Sequence, residues 1–205
     1  MPDLKDVVKQ RRSIRKYLPR EVLYHVVLAV LEAAGWAPSA HNSQPWRFIV
    51  LADPQVKREL AERMAEAWAA DLKKDNQIVD DSLRSERVER FANAPVLIMA
   101  CLTMEGLREF PDEQRQKRER DLAVESLGAS LENLLLAAYA AGLGACWFCA
   151  PVFCKETVRA VLKIPCEVEP SALIMLGYAA EKPPVPTKKA LKDYCYLDTW
   201  GKSVC

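Results

Sequence analysis

The sequence has no apolar run that approaches the roughly 20 residues needed to cross a bilayer as a helix. Its N-terminus, Met1 to Asp6, contains no hydrophobic signal region, so we expect a cytoplasmic protein with no membrane partner. It also lacks an excess of either charge, because 29 lysines and arginines stand against 28 acidic residues. A dedicated nucleic-acid binder would carry a large basic excess, so we expect no nucleic-acid partner.

Glycine is scarce, with seven in 205 residues. The one Gly-x-Gly, Gly142-Leu143-Gly144, follows a helical pattern and has Trp147 where a dinucleotide fingerprint needs a third small residue. No Walker A sequence is present. Only two histidines occur, and a hydrolytic triad around His41 would lack a nucleophile elbow.

The seven cysteines are an odd number in mostly apolar surroundings, which favours reduced, buried thiols over a disulfide framework. Cys146 and Cys149 form a Cys-x-x-Cys, with Cys154 and Cys166 downstream. A redox dithiol would stand at a helix N-terminus, whereas this pair lies in an apolar, strand-like run. A zinc or iron–sulfur site would need four ligands, and the four cysteines have the number without a familiar spacing. Packed thiols are the favoured interpretation, and a metal site is the alternative.

Helical and strand patterns alternate along the whole chain. Continuous apolar runs predict buried strands at 47–51, 96–102, 145–149 and 172–178. Apolar residues at helical spacing predict a short first helix and further helices at 19–35, from Pro54, at 122–141 and at 152–162. The charge-dense segment 71–91 is predicted to be mobile or a surface helix, and 105–121 a solvated excursion. The pattern predicts one domain over 1–205, α+β or α/β, with a central sheet covered by helices.

A basic stretch near the N-terminus suits a phosphate. Residues 9–16 hold five cations and no anion. Arg11 and Arg15 would share a face on a helix, and guanidinium groups bind phosphate oxygens bidentately. Two alternatives stay open: cations at a helix C-terminus also offset the helix dipole, and a charged run is often simply solvated.

A second polar stretch, Pro38 to Trp46, precedes the first predicted strand. Its two prolines exclude a helix interior or a central strand. Between them lie serine, histidine, asparagine and glutamine side chains, which can both donate and accept hydrogen bonds. Such a loop suits a flat ligand with polar edges, although the same residues also make ordinary turns.

Taken together, these two stretches resemble the nitroreductase-like FMN-dependent oxidoreductases. The similarity continues through Asn93-Ala94-Pro95, through 131–138 running into 142–147, and through Gly177-Tyr178, so it covers nearly the whole chain. The chain looks closest to compact single-domain members, including the flavin domain fused to bacterial deazaflavin γ-glutamyl ligases. The resemblance implies a three-layer α+β sandwich with a mostly antiparallel central sheet. It also implies an intertwined homodimer with FMN at the subunit interface.

The resemblance assigns roles to individual residues. The FMN phosphate and ribityl chain would be held by Arg11, Arg12, Ser13 and Arg15. The flavin of the other subunit would be reached by Pro38, Ser39, Ala40, Asn42 and Gln44. The isoalloxazine ring would lie against Gly144, Trp147 and Cys149, with backbone donors near N5. Lys188, or else Lys189, would close on the phosphate.

The implied activity is hydride transfer from NADH or NADPH, through flavin N5, to an electron-poor small molecule such as a nitro compound or quinone. One flavin pocket and no separate nicotinamide fold predict ping-pong kinetics, and neither a catalytic side chain nor a metal is needed. The alternatives are a specialised enzyme that works with a deazaflavin partner and a non-catalytic flavin- or metal-binding protein. Two departures stand out: many relatives have glycine at the position of Cys149, and 103–121 matches no fixed family pattern. In the family that region, 103–121, is variable and often covers the substrate. Separately, the tail 181–205 is predicted to dock on the core or on a partner.

Overall fold

Four apolar segments pair into one sheet. They are β1 (Trp46–Leu51), β2 (Val96–Leu102), β3 (Gly144–Phe148) and β4 (Glu169–Gly177). Their order is β1-β2-β4-β3, and every neighbouring pair is antiparallel. β2 is buried along its whole length, as its continuous apolar sequence predicts for a strand covered on both faces.

Six helices cover this sheet in the computed structural model, which describes residues 3–78 and 80–204. They are α1 (Leu4–Gln10), α2 (Tyr24–Gly35), α3 (Pro54–Lys74), α4 (Asp81–Ala92), α5 (Glu113–Ala140) and α6 (Lys155–Leu162). Short 3₁₀ turns occupy Ala40–Asn42, Ala150–Phe153 and Leu191–Asp193. No helix in the described part of the chain is long and apolar enough to span a membrane.

The two faces of the sheet have separate cores. Successive residues of a strand point to opposite faces. Ile98 therefore packs with α2 and α5, whereas its neighbour Leu97 packs with α3, α4 and α6. The result is a three-layer α+β sandwich with an antiparallel central sheet, which confirms the predicted fold class.

α2 begins later than predicted. The pattern predicted a helix from Pro19, but α2 starts at Tyr24. Residues 16–18 instead bond to the chain beyond β4: Leu18 N–H donates to Tyr178 O at 2.9 Å, and Ala180 N–H donates to Lys16 O at 2.9 Å. These long-range bonds hold residues 16–18 extended, and the helix forms only from Tyr24.

α5 begins earlier than predicted. Residues 113–121, predicted to be a solvated excursion, are the first turns of α5. The side chain of Asp112 caps them by accepting from Arg115 N–H at 2.9 Å. The excursion is therefore confined to the loop between Leu102 and Asp112, and Glu119 is buried in α5 with only 6% of its surface exposed.

The described part of the tail beyond β4 has little regular structure apart from its 3₁₀ turn and two isolated bridges, Tyr17 with Ala179 and Tyr196 with Ser203. The rings of Tyr196 and Trp200 pack against each other, with centroids 4.7 Å apart. Trp200 is nevertheless 89% exposed, and Tyr194 and Leu191 are also exposed. Docking of these side chains on a partner stays a prediction.

Candidate functional site

The arginine segment, residues 11–17, lies along the outer edge of β3. Ile14 N–H donates to Ala145 O at 3.0 Å, and Ser13 forms a parallel bridge with Ala145. The prediction that Arg11 and Arg15 share a helix face is therefore wrong, because α1 ends at Gln10 and the segment runs extended as an added edge.

Glycines in the sheet make this close approach possible. A Cβ on Gly144 would lie under 3 Å from three side-chain atoms of Ile14. A Cβ on Gly177 would lie 2.8 Å from Cδ1 of Tyr17 and 2.7 Å from Cγ of Pro95. Only a residue without a side chain fits at either position. Gly144 thus seats the arginine segment, and its predicted contact with the flavin ring stays a prediction.

Ser13 and Arg15 converge on the thiol of Cys146. Burial raises the pKa of this thiol, and the charges of Arg15, Arg90 and Arg11 and a hydrogen bond with Ser13 oppose the rise. The structure therefore places Arg11, Ser13 and Arg15 near one thiol, and their contact with a phosphate and ribityl chain stays a prediction. It adds Arg90 of α4, which the sequence analysis missed.

Arg12 points elsewhere. Its guanidinium donates to the carbonyl oxygens of Lys9 at 2.7 Å and Arg11 at 2.6 Å, at the C-terminus of α1. This is the helix-dipole alternative that the sequence analysis left open. Arg12 would have to leave these carbonyls to bind a phosphate, so its phosphate contact stays a prediction.

The Pro38–Trp46 loop, at the start of β1, has a strained backbone. His41, Asn42 and Gln44 have φ angles of 55°, 55° and 49°, a left-handed conformation that asparagine tolerates and that costs roughly 1–2 kcal/mol for most other residues with a side chain. Bonds to neighbouring groups hold it: Ala40 N–H donates to Ser126 Oγ at 3.1 Å, and Gln44 N–H donates to Ser39 Oγ at 3.0 Å. Asn42 and Gln44 are exposed and can bind a ligand.

Glu119 lies beneath this loop, and the sequence analysis also missed it. Its Oε1 atom is 3.9 Å from Nε2 of His41, and its Oε2 atom is buried with no hydrogen-bond partner. No local signal marks it, because it belongs to a charge-dense stretch whose other members are mostly solvated. Only the burial of α5 distinguishes Glu119.

The arginine segment and the Pro38–Trp46 loop lie at opposite edges of the sheet. β3 carries the segment, β1 follows the loop, and both are outer strands. Three strand spacings, or roughly 14 Å, separate β1 from β3, and the arginine segment lies outside β3. The two predicted halves of the site are therefore well separated within one chain.

A cavity of about 600 Å³ lies beside the arginine segment, which is a typical size for a ligand pocket. Arg11, Arg12, Gly144 and Lys182 are among its lining residues, whereas Ser13 and Arg15 do not line it. Lys188 and Lys189 lie exposed on the tail outside this lining, so their contact with the phosphate stays a prediction. Trp147, 36% exposed, and Cys149 lie beyond the part of β3 that the arginine segment covers.

Two unpaired atoms indicate that a polar ligand fits here. Arg11 Nε is buried without a hydrogen bond, and its nearest anion is Glu132 Oε1 at 3.8 Å. Ser43 Oγ, in the Pro38–Trp46 loop, is likewise buried and unpaired. Buried polar groups are rarely left without partners, so each half of the predicted site has an atom that a ligand can satisfy. Arg11 Nε is a donor that suits a phosphate oxygen, whereas Glu119 Oε2, beneath the same loop as Ser43, is an unpaired acceptor.

The cysteines that the structure describes do not assemble a metal site. Within residues 3–78 and 80–204, no three side chains of histidine, cysteine, aspartate or glutamate are grouped to hold a metal ion. Cys146 is buried and Cys149 is exposed. Burial raises the pKa of the Cys154 thiol to about 11. This arrangement gives no support to the alternative of a structural metal centre.

Comparisons with known proteins agree with this geometry. The family model described as "Nitroreductase family" matches residues 8–178. A protein of Thermus thermophilus named NADH dehydrogenase is 34% identical over 197 residues, which covers 88% of each chain. Two solved structures from Clostridium difficile share the fold. A BluB-like flavoprotein has a TM-score of 0.81 at 24% identity, covering 97% of this chain and all of its own. An FMN-dependent nitroreductase has a TM-score of 0.72 at 21% identity, covering 96% of this chain and all of its own. The chain therefore belongs to the nitroreductase family.

Proposed function

We propose that this protein is an FMN-dependent oxidoreductase that transfers a hydride from NADH or NADPH to an electron-poor small molecule, such as a nitro compound or a quinone. Membership of the nitroreductase family supports an NAD(P)H oxidoreductase, and one relative is named NADH dehydrogenase. The observation that carries the proposal is the arginine segment, which is pinned to the sheet edge with a buried, unpaired Arg11 Nε.

FMN fits the arginine segment better than a larger dinucleotide does. Arg11, Ser13 and Arg15 offer charge-assisted hydrogen bonds to a dianionic phosphate. The sequence has no fingerprint for a second nucleotide, since Trp147 occupies the place of its third small residue. A structural neighbour is described as FMN-dependent, which supports the same choice.

The active unit is a homodimer in this proposal. The arginine segment would hold the phosphate of one FMN, and Ser39, Asn42 and Gln44 of the second copy would contact the polar edge of that flavin. The separation of these two groups across the sheet supports this arrangement. The exposed aromatics of the tail are available to pack on the second copy.

Bound FMN would supply the redox chemistry, accepting the hydride from NADH or NADPH and passing it to the acceptor. This chain's residues would position it. The backbone of Trp147 to Cys149 would lie against the ring, and the donors of the arginine segment would fix the phosphate. With a single flavin, donor and acceptor would bind in turn, which gives ping-pong kinetics.

Analysis of the released cofactor tests the proposal. Purified protein should show a flavin absorbance spectrum, and heat denaturation should release FMN that is identified by chromatography. Release of FAD would contradict the proposal. So would failure to bind FMN after reconstitution of the apoprotein.

A further inference from the structure

A carboxylate at the start of the tail is bonded to the backbone of the arginine segment. Glu181 Oε1 accepts from Arg15 N–H at 2.6 Å and from Lys16 N–H at 3.1 Å. In a regular strand, successive N–H groups point to opposite edges, so the arginine segment turns here and presents two donors to one oxygen. Successive N–H groups that converge in this way form a concave site for an anion. The chain fills this site with a side chain of its own.

This contact lies at the wall of the cavity beside the arginine segment. Glu181 lines that cavity together with Arg11, Arg12 and Lys182. In the described part of the chain, the hydrogen bonds of Glu181 are both to backbone N–H groups. Glu181 therefore acts on the course of the backbone, although cationic side chains line the same cavity.

Backbone bonds hold the arginine segment on either side of the turn. Before it, Ile14 N–H donates to Ala145 O at 3.0 Å, and after it, Ala180 N–H donates to Lys16 O at 2.9 Å. Between these two bonds, Glu181 is the side chain that fixes the turn. Loss of its carboxylate would therefore free the turn while both ends of the segment stay attached to the fold.

The turn determines where the guanidinium donors of the segment point. Arg11 Nε, before the turn, is buried without a hydrogen bond, and Arg15 lies at the turn itself. Charge-assisted hydrogen bonds from guanidinium groups to phosphate oxygens depend on geometry as well as on charge. A phosphate that contacts both arginines requires the turn to be fixed.

We propose that Glu181 is a positioning residue for the cofactor. By accepting from Arg15 N–H and Lys16 N–H, it fixes the turn of the arginine segment and so sets the affinity of the site for the phosphate group of FMN. The identity of the ligand rests on the proposed function, whereas the role of Glu181 in holding the turn does not.

Titration of the apoprotein with FMN and, separately, with riboflavin tests this role, because riboflavin is the same flavin without the phosphate. Glu181→Ala should weaken FMN binding by about tenfold, the factor that corresponds to one lost hydrogen bond to a charged group. Riboflavin affinity should stay the same, because the substitution acts through the phosphate donors. Glu181→Gln keeps an oxygen acceptor and should recover most of the lost FMN affinity.

Asp53→Ala is the matched control. Asp53 also accepts a backbone N–H, from Gln55 at 2.7 Å, but it does so at the start of α3. Its loss should leave both flavin affinities unchanged. Amide hydrogen exchange of the FMN-free proteins, followed by NMR, gives a second measurement. Exchange at Arg15 and Lys16 should become faster in Glu181→Ala and stay slow in Glu181→Gln and Asp53→Ala.

Equal FMN affinity in Glu181→Ala and the natural protein would overturn the proposal. Tighter FMN binding in Glu181→Ala and Glu181→Gln would overturn it too, since the carboxylate would then repel the phosphate. An equal loss of FMN and riboflavin affinity would indicate general damage to the fold and would likewise contradict it. If none of these proteins binds FMN while the amides of Arg15 and Lys16 respond as expected, Glu181 holds the turn and the proposed function is wrong.

Discussion

Ile14 and Gly144 are packed so closely that a Cβ on Gly144 would lie 2.7 Å from Cγ1 of Ile14. Gly144→Ala should therefore push the arginine segment off the sheet edge. Overpacking of this kind costs about 1–3 kcal/mol in the free energy of unfolding. FMN affinity should fall with it, because the phosphate donors move.

Urea denaturation and FMN titration of the apoprotein measure both effects. Gly35→Ala is the matched control, because nothing lies within 4 Å of the Cβ that it adds. Equal stability of the two alanine variants would show that the edge contact is not as tight as described.

Arg15 and Arg12 should have different roles although they lie three residues apart. Arg15→Ala should weaken FMN binding by about 1.5–3 kcal/mol, the value of a hydrogen bond to a charged group. Arg12→Ala should mainly destabilise the end of α1, because Arg12 donates to the carbonyls of Lys9 and Arg11. Calorimetric titration of each apoprotein with FMN separates the two. An unchanged dissociation constant for Arg15→Ala would favour the alternative that the arginine segment is simply a solvated run of charges.

A mixed dimer tests whether two chains build each site. Arg15→Ala impairs the arginine segment, and Asn42→Ala impairs the loop. If each site takes its segment from one chain and its loop from the other, a heterodimer of the two variants has one intact site and one doubly impaired site. Co-refolded variants should therefore recover tight FMN binding at about half of the heterodimer sites.

Each variant refolded alone is the control, and sedimentation equilibrium should give twice the chain mass. A monomer that still binds FMN, or no recovery in a heterodimer of confirmed composition, would contradict shared sites.

Tyr17 should make the protein less stable at alkaline pH. Burial raises the pKa of this phenol far above its ordinary value near 10, and the charges of Cys146 and Glu181 add to the rise. Its hydroxyl donates to Ile14 O. Below about pH 10 the phenol is neutral in both states, and its contribution to stability is complete. Above that pH the unfolded chain gains free energy by releasing the proton, and stability falls by about 1.4 kcal/mol per pH unit until the folded-state pKa is passed.

Urea denaturation from pH 7 to 11 measures this effect against Tyr17→Phe, which keeps the ring. The advantage of the natural protein at pH 7 should shrink above about pH 10. Burial raises the pKa of Cys101 and Cys154 to about 11. These thiols contribute equally to the pH dependence of stability in both proteins, so their effect cancels in the difference. A constant difference across the pH range would mean that the Tyr17 hydroxyl is accessible to water.

Replacing Cys146 and Cys149 together by serine should leave FMN reduction by NADH or NADPH intact. The two thiols are in different environments, one buried and one exposed, and the electrons need only the flavin. Initial rates with a quinone should give parallel double-reciprocal lines in both proteins. Intersecting lines would indicate a ternary complex. Loss of acceptor reduction, with FMN bound and reducible, would make the cysteine pair a redox relay.

Sequence patterns predicted the parts of the fold that depend on local composition. β2 and β4 were located because a strand buried on both faces must be continuously apolar. The predicted ends of β2 match the observed ends, whereas β4 begins three residues earlier and ends one residue earlier than predicted. The predicted helix at 152–162 is divided into a 3₁₀ turn and α6.

Features that depend on distant partners were not predicted. The arginine segment was assigned to a helix because its bonds to Ala145 and Ala180 cannot be read from the local sequence. Arg90 is one of several arginines in α4, and only the packing of α4 beside β3 sets it apart. Glu119 was missed for the same reason, because the burial of α5 depends on tertiary packing and not on local sequence.

The segment that is proposed to hold the phosphate also protects the protein from aggregation. An outer strand presents unpaired N–H and C=O groups that can template pairing with another chain. The backbone bond from Ile14 to Ala145 occupies such a group on β3, and the positive charges on either side of Ile14 repel a second copy of the same edge. Removal of residues 1–17 would therefore reduce solubility as well as cofactor binding. Loss of flavin in such a truncated protein could then result from exposure of the β3 edge as well as from loss of the phosphate-binding residues.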